Sequence, residues 1–213
     1  MARKRQYQLL CPVARALDVL GDRWALLVLR DLHAGPARFQ QLQDGLGMAS
    51  NLLATRLAEL TEAGLVEKTG VGGQRRYELT ELGRNTDRVL WELARFGGLV
   101  ARDPEPRTPG NLRTIVLPLR FALESAPSRP TLTARLLIDG ETFTIDSTPE
   151  AVEVRYDDDR TPADITVQTA YEPFLDLAEG LIGLDAFAAR HLEVIDGDDR
   201  LPELASLMNA ALD

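Results

Sequence analysis

The sequence predicts two domains: an α(+β) winged helix-turn-helix, then an α+β domain with a mainly antiparallel sheet. Three observations predict it. Residues 11–97 read as four helices, a glycine-tipped hairpin and a closing helix. Residues 132–167 alternate apolar and polar side chains with strand period. Between them, Pro104, Pro106, Pro109 and Gly110 stand among charges, the composition of a semi-rigid exposed linker. Charge changes at the same place. Residues 1–102 hold 15 Lys+Arg against 11 Asp+Glu, and residues 103–213 hold 9 against 22, so a net of +4 is followed by −13. The expected domains are 1–101 and 112–213, joined by a linker at 102–111.

Composition excludes several classes. With 45% hydrophobic and 27% charged residues the chain reads as globular. A net charge of −9 argues against a protein that coats nucleic acid indiscriminately. A single cysteine, Cys11, rules out an internal disulfide framework and an all-cysteine metal cage. No apolar stretch approaches the roughly 18–20 residues that span a bilayer. Arg3-Lys4-Arg5 and Leu9-Leu10-Cys11 faintly mimic a lipoprotein leader, but the apolar run is too short, so a cytoplasmic protein without membrane contact is expected.

Tyr7, Leu10, Ala14 and Leu17 have helical spacing, and Pro12 places the start of this first helix near Cys11. Asp22 reads as the cap or first turn of a second helix through about His33, buried along Trp24, Leu27, Val28 and Leu32. Ala34-Gly35-Pro36 ends it. A short helix at 37–44 turns Phe39 and Leu42 inward, and Gly45 and Gly47 close it. The fourth runs from Ser50 to Ala63 and stops at Gly64. Strands at Leu65–Thr69 and Arg75–Leu79 flank the glycine-rich stretch 70–74, a hairpin turn. A helix from Thr80 to about Gly97 carries Val89, Leu90, Leu93 and Phe96.

In the acidic half, a proline-weakened helix is expected at 111–126. Strands follow around Leu132–Ile138, Phe143/Ile145, Val152–Tyr156 and Ile165/Val167, with a tight Asp139-Gly140 turn between the first two. Helical spacing returns from Phe174 to Ala189. A strand at Leu192/Val194 and a helix carrying Leu204, Leu207 and Met208 complete the chain.

Two resemblances rest on particular residues. Cys11-Pro12, Leu20-Gly21-Asp22-Arg23-Trp24, Arg38-Phe39, Leu53, Arg56-Leu57, Leu60, Gly64-Leu65-Val66 and Tyr77-Glu78-Leu79-Thr80-Glu81-Leu82-Gly83 resemble the HxlR-type family of bacterial winged-helix regulators, over about residues 7–100. That implies a homodimer on operator DNA, with 50–63 as recognition helix and 70–74 as wing tip. The half from about 112 to 212 is similar to sterol-carrier-type-2-like lipid-binding domains. The features are Ile138-Asp139-Gly140-Glu141-Thr142-Phe143-Thr144, the Val152–Tyr156 strand, Ala163-Asp164-Ile165-Thr166-Val167 and the leucine-rich helices after Pro173. Such domains enclose an apolar cavity between a sheet and helices. Arg190-His191 stands where a glycine is usual before the last strand.

On a helical wheel, Leu53, Leu57 and Leu60 centre the buried face of 50–63. Asn51, Thr55, Ala58 and Glu59 then face outward, with Arg56 on the flank. Asn51 and Thr55 are the best base readers, and Arg56 is a reader or phosphate clamp. The alternative is that Arg56 pairs with an acidic neighbour and Asn51 is merely solvated. Ser50 is expected as an N-cap that also touches phosphate. Arg38, Arg75 and Arg76 suit phosphate contacts. Arg3-Lys4-Arg5 is a minor-groove arm or a solvated tail. Cys11 is either a redox-reactive thiol, favoured by Arg15 and a helix start, or a small buried hydrophobe.

No catalytic constellation, metal site or cofactor motif is read. Asp157-Asp158-Asp159 and Asp196-Gly197-Asp198-Asp199 lack the ligand alternation of a calcium loop and read as turns. For a ligand pocket, the expected walls are Phe143, Val154, Val167, Phe174, Leu177, Leu181, Phe187, Leu204 and Met208. Periodicity does not separate core from pocket wall. The reading is a regulator that binds an inverted-repeat operator as a homodimer, through the helices at 11–20 and 84–97 with Leu90, Trp91 and Leu93 outward, and senses a small hydrophobic molecule. The alternatives are redox sensing through Cys11 with the acidic half as scaffold, and a lipid-binding or carrier protein.

Overall fold

A computed structural model describes residues 7–71, 75–100, 110–156 and 162–212. The basic arm at 3–5, wing-tip residues 72–74, linker residues 102–109 and the aspartates 157–159 lie outside the described residues. The chain forms two compact units, 1–92 and 93–213.

In the first unit, α1 (Pro12–Leu20) starts with proline in its first turn, where a missing N–H costs no helical bond. The cap of α2 (Arg23–Leu32) is Asp22, whose Oδ1 accepts from the N–H groups of Trp24 (2.9 Å) and Ala25 (3.3 Å). Its buried residues are Ala25, Val28, Leu29, Asp31 and Leu32. Trp24 and Leu27 are only half-buried, so the stripe is rotated from the expected one towards Ala25 and Leu29.

After α3 (Phe39–Leu46), Gly47 turns the chain with φ +60, and α4 (Ser50–Glu62) follows with Leu53, Leu57 and Leu60 buried. Ser50 is not the cap of α4. Ala49 holds that place, and the Ser50 hydroxyl instead accepts from Gln43 Nε2 (2.8 Å), tying α3 to α4.

Antiparallel β1 (Val66–Thr69) and β2 (Arg76–Leu79) make the wing, with Val66 opposite Leu79. Ala37 adds an isolated bridge to β2 by exchanging both backbone hydrogen bonds with Tyr77.

The single helix expected after the wing is two: α5 (Glu81–Arg84) and α6 (Asp87–Gly98). Side chains compete here with the helical ladder. The Thr80 hydroxyl accepts from Gly83 N–H, and the Thr86 hydroxyl donates to the Gly83 carbonyl. A Cβ on Gly83 would lie 2.0 Å from the Leu65 carbonyl oxygen, so this turn packs directly on the backbone before β1. The break sets the phase of α6: Leu90 is buried rather than outward-facing, Trp91 is half-buried, and Leu93 is exposed. Leu10, Val13 and Leu17 at α1 are exposed.

In the second unit, a 3-10 turn at Leu112–Ile115 leads into α7 (Val116–Glu124), which tolerates Pro118 in its first turn. The five strands are β3 (Leu132–Ile138), β4 (Glu141–Ser147), β5 (Val152–Tyr156), β6 (Ile165–Thr169) and β7 (Glu193–Asp196), in spatial order β5-β4-β3-β6-β7. Only β3 and β6 pair in parallel. Asp139 (φ 47) and Gly140 (φ 84) form the tight turn from β3 to β4, both in the left-handed region.

Register lines up apolar rows across the sheet. Val154, Ile145, Ala134 and Ile165 make one, and Phe143, Leu136, Val167 and Val194 another. Helices α7 and α10 (Leu201–Leu212) pack against β5 and β3 and against each other. The expected helix at 174–189 is also interrupted. Helix α8 (Tyr171–Ala178) gives way to Gly180 at φ 72, and α9 (Leu184–His191) starts afresh.

Candidate functional site

The first candidate is the outer side of α4. Three leucines bury one side of the helix, which leaves Asn51, Thr55 and Ala58 exposed on the other. The Thr55 hydroxyl donates to the Asn51 carbonyl (2.8 Å), which leaves its lone pairs and methyl free to face outward. No side-chain partner engages the Asn51 amide among the described residues.

Arg56 behaves differently from its neighbours. Its Nε lies 2.9 Å from Asp22 Oδ1, an ionic contact whose geometry falls short of a hydrogen bond, and its Nη1 donates to Glu59. With its side chain only 20% exposed, Arg56 ties α4 to the cap of α2. The expectation of a base reader or phosphate clamp gives way to the acidic-neighbour alternative. Glu59, expected to face outward, is half-buried in the same cluster.

Arg38, Arg75 and Arg76 are exposed, and none has a side-chain ion pair among the described residues. Arg38 precedes α3, where its N–H donates to Gln41 Oε1 (2.8 Å). Ala37, the residue before it, bridges to Tyr77, the residue after Arg76. That bridge ties the start of α3 to β2 of the wing. Lys68, not singled out from the sequence, adds an ammonium 5.3 Å from the Tyr77 ring centroid. Cys11 is exposed at the N-terminal cap of α1 and free, not buried.

The second candidate is a cavity of about 120 Å³ between the sheet and α8, α9 and α10. Val167, Phe174, Phe187, Leu204 and Met208, all expected as pocket walls, line it. Ala134, Leu136, Ile145, Leu184, Ala188, Leu192, Leu201 and Ala205 complete the lining, so every wall residue is apolar. The other four expected wall residues lie elsewhere. Phe143, Val154 and Leu177 are buried in the solid core, Phe143 against the Tyr156 ring at 5.5 Å. Leu181 is 64% exposed, because the chain reverses at Gly180 and turns it outward.

Beside the cavity an open cleft of about 380 Å³ is lined by Asp139, Gly140, Gln168, Thr169, Ala170, Arg190, His191, Leu192 and Glu193. Among the described residues no group of His, Cys, Asp and Glu could hold a metal ion. No described helix is long and apolar enough to cross a membrane.

Residues 19–109 match the HxlR-like helix-turn-helix family. An HTH-type transcriptional regulator of Mycobacterium tuberculosis is 36% identical over 96 residues, covering 44% of this chain and 61% of that protein. One from Synechocystis is 33% identical over 92 residues, covering 41% of this chain and 68% of that protein. The HTH-type transcriptional regulator YodB of Bacillus subtilis is 34% identical over 89 residues, 39% of this chain and 80% of YodB. The crystal structure of quinone-bound YodB aligns at 32% identity with a TM-score of 0.38, over 42% of this chain and 100% of that one. The chain spans about three fifths of the length of the mycobacterial relative. These relatives are HTH-type transcriptional regulators. The chain belongs to the HxlR-like helix-turn-helix family.

Proposed function

We propose that the protein is a DNA-binding transcriptional regulator, acting in the cytoplasm, whose C-terminal domain senses a small hydrophobic ligand. The observation that carries the DNA half is the unengaged polar side of α4, Asn51 and Thr55, accompanied by the unpaired Arg38, Arg75 and Arg76. A helix offering amide and hydroxyl groups reads base edges in the major groove, and flanking arginines hold phosphates. Arg56 and Ser50 position α4 rather than touch DNA.

The functional division is 1–101 for DNA binding and dimerisation, 102–111 as linker and 112–213 for the ligand. A homodimer formed through α1 and the exposed side of α6 presents two α4 helices to major grooves one turn apart, so the operator is an inverted repeat. The apolar cavity between sheet and helices supports the sterol-carrier-like reading of the second domain. A cavity lined only by apolar groups gains free energy by filling with an apolar guest.

Sensing requires different ligand affinity in DNA-competent and DNA-incompetent states. The test is titration of a fragment of its own promoter with the full chain, with and without toluene, a neutral probe of cavity size. A shifted operator affinity supports the reading. Saturable toluene binding with unchanged operator affinity leaves the second domain as scaffold.

One observation favours a second reading. The exposed Cys11 thiol at the start of α1 is open to oxidation, with the second domain as scaffold. Under that reading Cys11→Ser abolishes the response of operator binding to oxidants.

A further inference from the structure

The apolar cavity and the polar cleft of the second unit have one wall in common, Leu192. Helix α9 builds both sides of that wall. Phe187 and Ala188 face the cavity, whereas Arg190 and His191, one turn on, face the cleft. The rings of Phe187 and His191 have centroids 6.3 Å apart, so an aromatic of the cavity lining adjoins one of the cleft lining.

Size limits what the cavity admits. At about 120 Å³ it is slightly smaller than the roughly 150 Å³ apolar cavity that accommodates benzene. A single ring or a short branched chain fits; a sterol nucleus or a long acyl chain does not.

Charge limits what the cleft prefers. Arg190 is exposed and without a hydrogen-bond or ion-pair partner among the described residues, and its planar fork suits a carboxylate. Two carboxylates also line the cleft. Asp139 is engaged, accepting from Tyr171 N–H (3.3 Å), while Glu193 on β7 is exposed and opposes an anion.

We infer that cavity and cleft are the two ends of one ligand site, which takes a small arylalkyl carboxylate with its ring against Phe187 and its carboxylate at Arg190. The inference rests on the ligand-sensing reading and narrows it to an anionic amphiphile of ring size. His191 supplies a second donor, and Glu193 moderates affinity.

The experiment is calorimetric titration of the full chain with phenylacetate, toluene, phenethylamine and palmitate. Phenylacetate binds saturably, more tightly than phenethylamine, and palmitate does not displace it. Arg190→Gln weakens phenylacetate about 5–10-fold, the low end for an exposed charge-assisted hydrogen bond, and leaves toluene unchanged. Glu193→Gln tightens phenylacetate. Ala188→Leu, which adds three carbons to the cavity wall, abolishes binding of both ring compounds.

Toluene binding without a preference for the carboxylate, or phenylacetate affinity indifferent to Arg190→Gln, overturns the inference and leaves the apolar-ligand reading standing. Displacement by palmitate overturns the size limit. Failure of every ring compound to bind removes the inference and the ligand-sensing reading together.

Discussion

Asp22 and Arg56 are joined across 34 positions of sequence, with Asp22 Oδ1 serving both the first N–H groups of α2 and the guanidinium of α4. One carboxylate oxygen therefore fixes where α2 begins and how α4 is rotated on it. Rotation matters because Asn51 and Thr55 lie on the same helix and are aimed by the same contact.

The pair separates positioning from reading. Asp22→Ala removes a helix cap, worth about 1 kcal/mol, and a partly exposed ion pair, worth about 0.2–1 kcal/mol. Asp22→Asn keeps the cap and loses only the ion pair. A double-mutant cycle in urea with Arg56→Gln is expected to show coupling for Asp22. Operator affinity is expected to fall in each variant, because the contact aims Asn51 and Thr55, while the order of preferred bases is kept, because neither Asp22 nor Arg56 faces outward.

Asn51→Ala and Thr55→Ala are expected to change which bases are preferred at their positions, at about 1–3 kcal/mol per lost contact. Arg76→Ala, by contrast, weakens all sequences alike and flattens the dependence of log K on log salt by about one unit. Selection of bound sites from a random pool, with salt titrations of each variant, distinguishes these outcomes.

Gly83→Ala places a methyl group 2.0 Å from the Leu65 carbonyl oxygen. Backbone on both sides cannot rotate away as a side chain would. The expected destabilisation is about 1–3 kcal/mol, read from the thermal unfolding transition of the first unit. Gly97→Ala, which meets nothing within 4 Å, is the control and leaves that transition unmoved.

The apolar side of α1 is the dimerisation surface in this account, since Val13 and Leu17 are exposed on it and Leu10 is exposed just before it. Val13→Asp combined with Leu17→Asp puts charge where apolar groups must be desolvated. Sedimentation is expected to show a dimer for the native chain and a monomer for the variant, with operator affinity falling accordingly.

What was legible in the sequence was what local rules decide. Asp22 announced the start of α2 because caps act within one turn, and Leu53, Leu57 and Leu60 set the phase of α4 by spacing alone. Asp139-Gly140 announced its hairpin because few residue pairs tolerate positive φ in succession.

The partner of Arg56 was not legible, since periodicity says nothing about which helix lies opposite. Nor was the break between α5 and α6, where the Thr86 hydroxyl takes the Gly83 carbonyl from within an otherwise helical pattern. The same limit divided the expected pocket. Phe143 and Phe174 are both buried aromatics in apolar patterns, yet one fills core and the other walls a cavity. Pattern reports burial and is blind to empty space.

The most direct measurement is the affinity of the full chain for a fragment of its own promoter against a scrambled fragment of equal length, at one fixed salt concentration. The account predicts a preference of about 10³-fold or more for the promoter, lost in Asn51→Ala combined with Thr55→Ala. Equal affinity for the two fragments, or a preference that survives the double substitution, would contradict it.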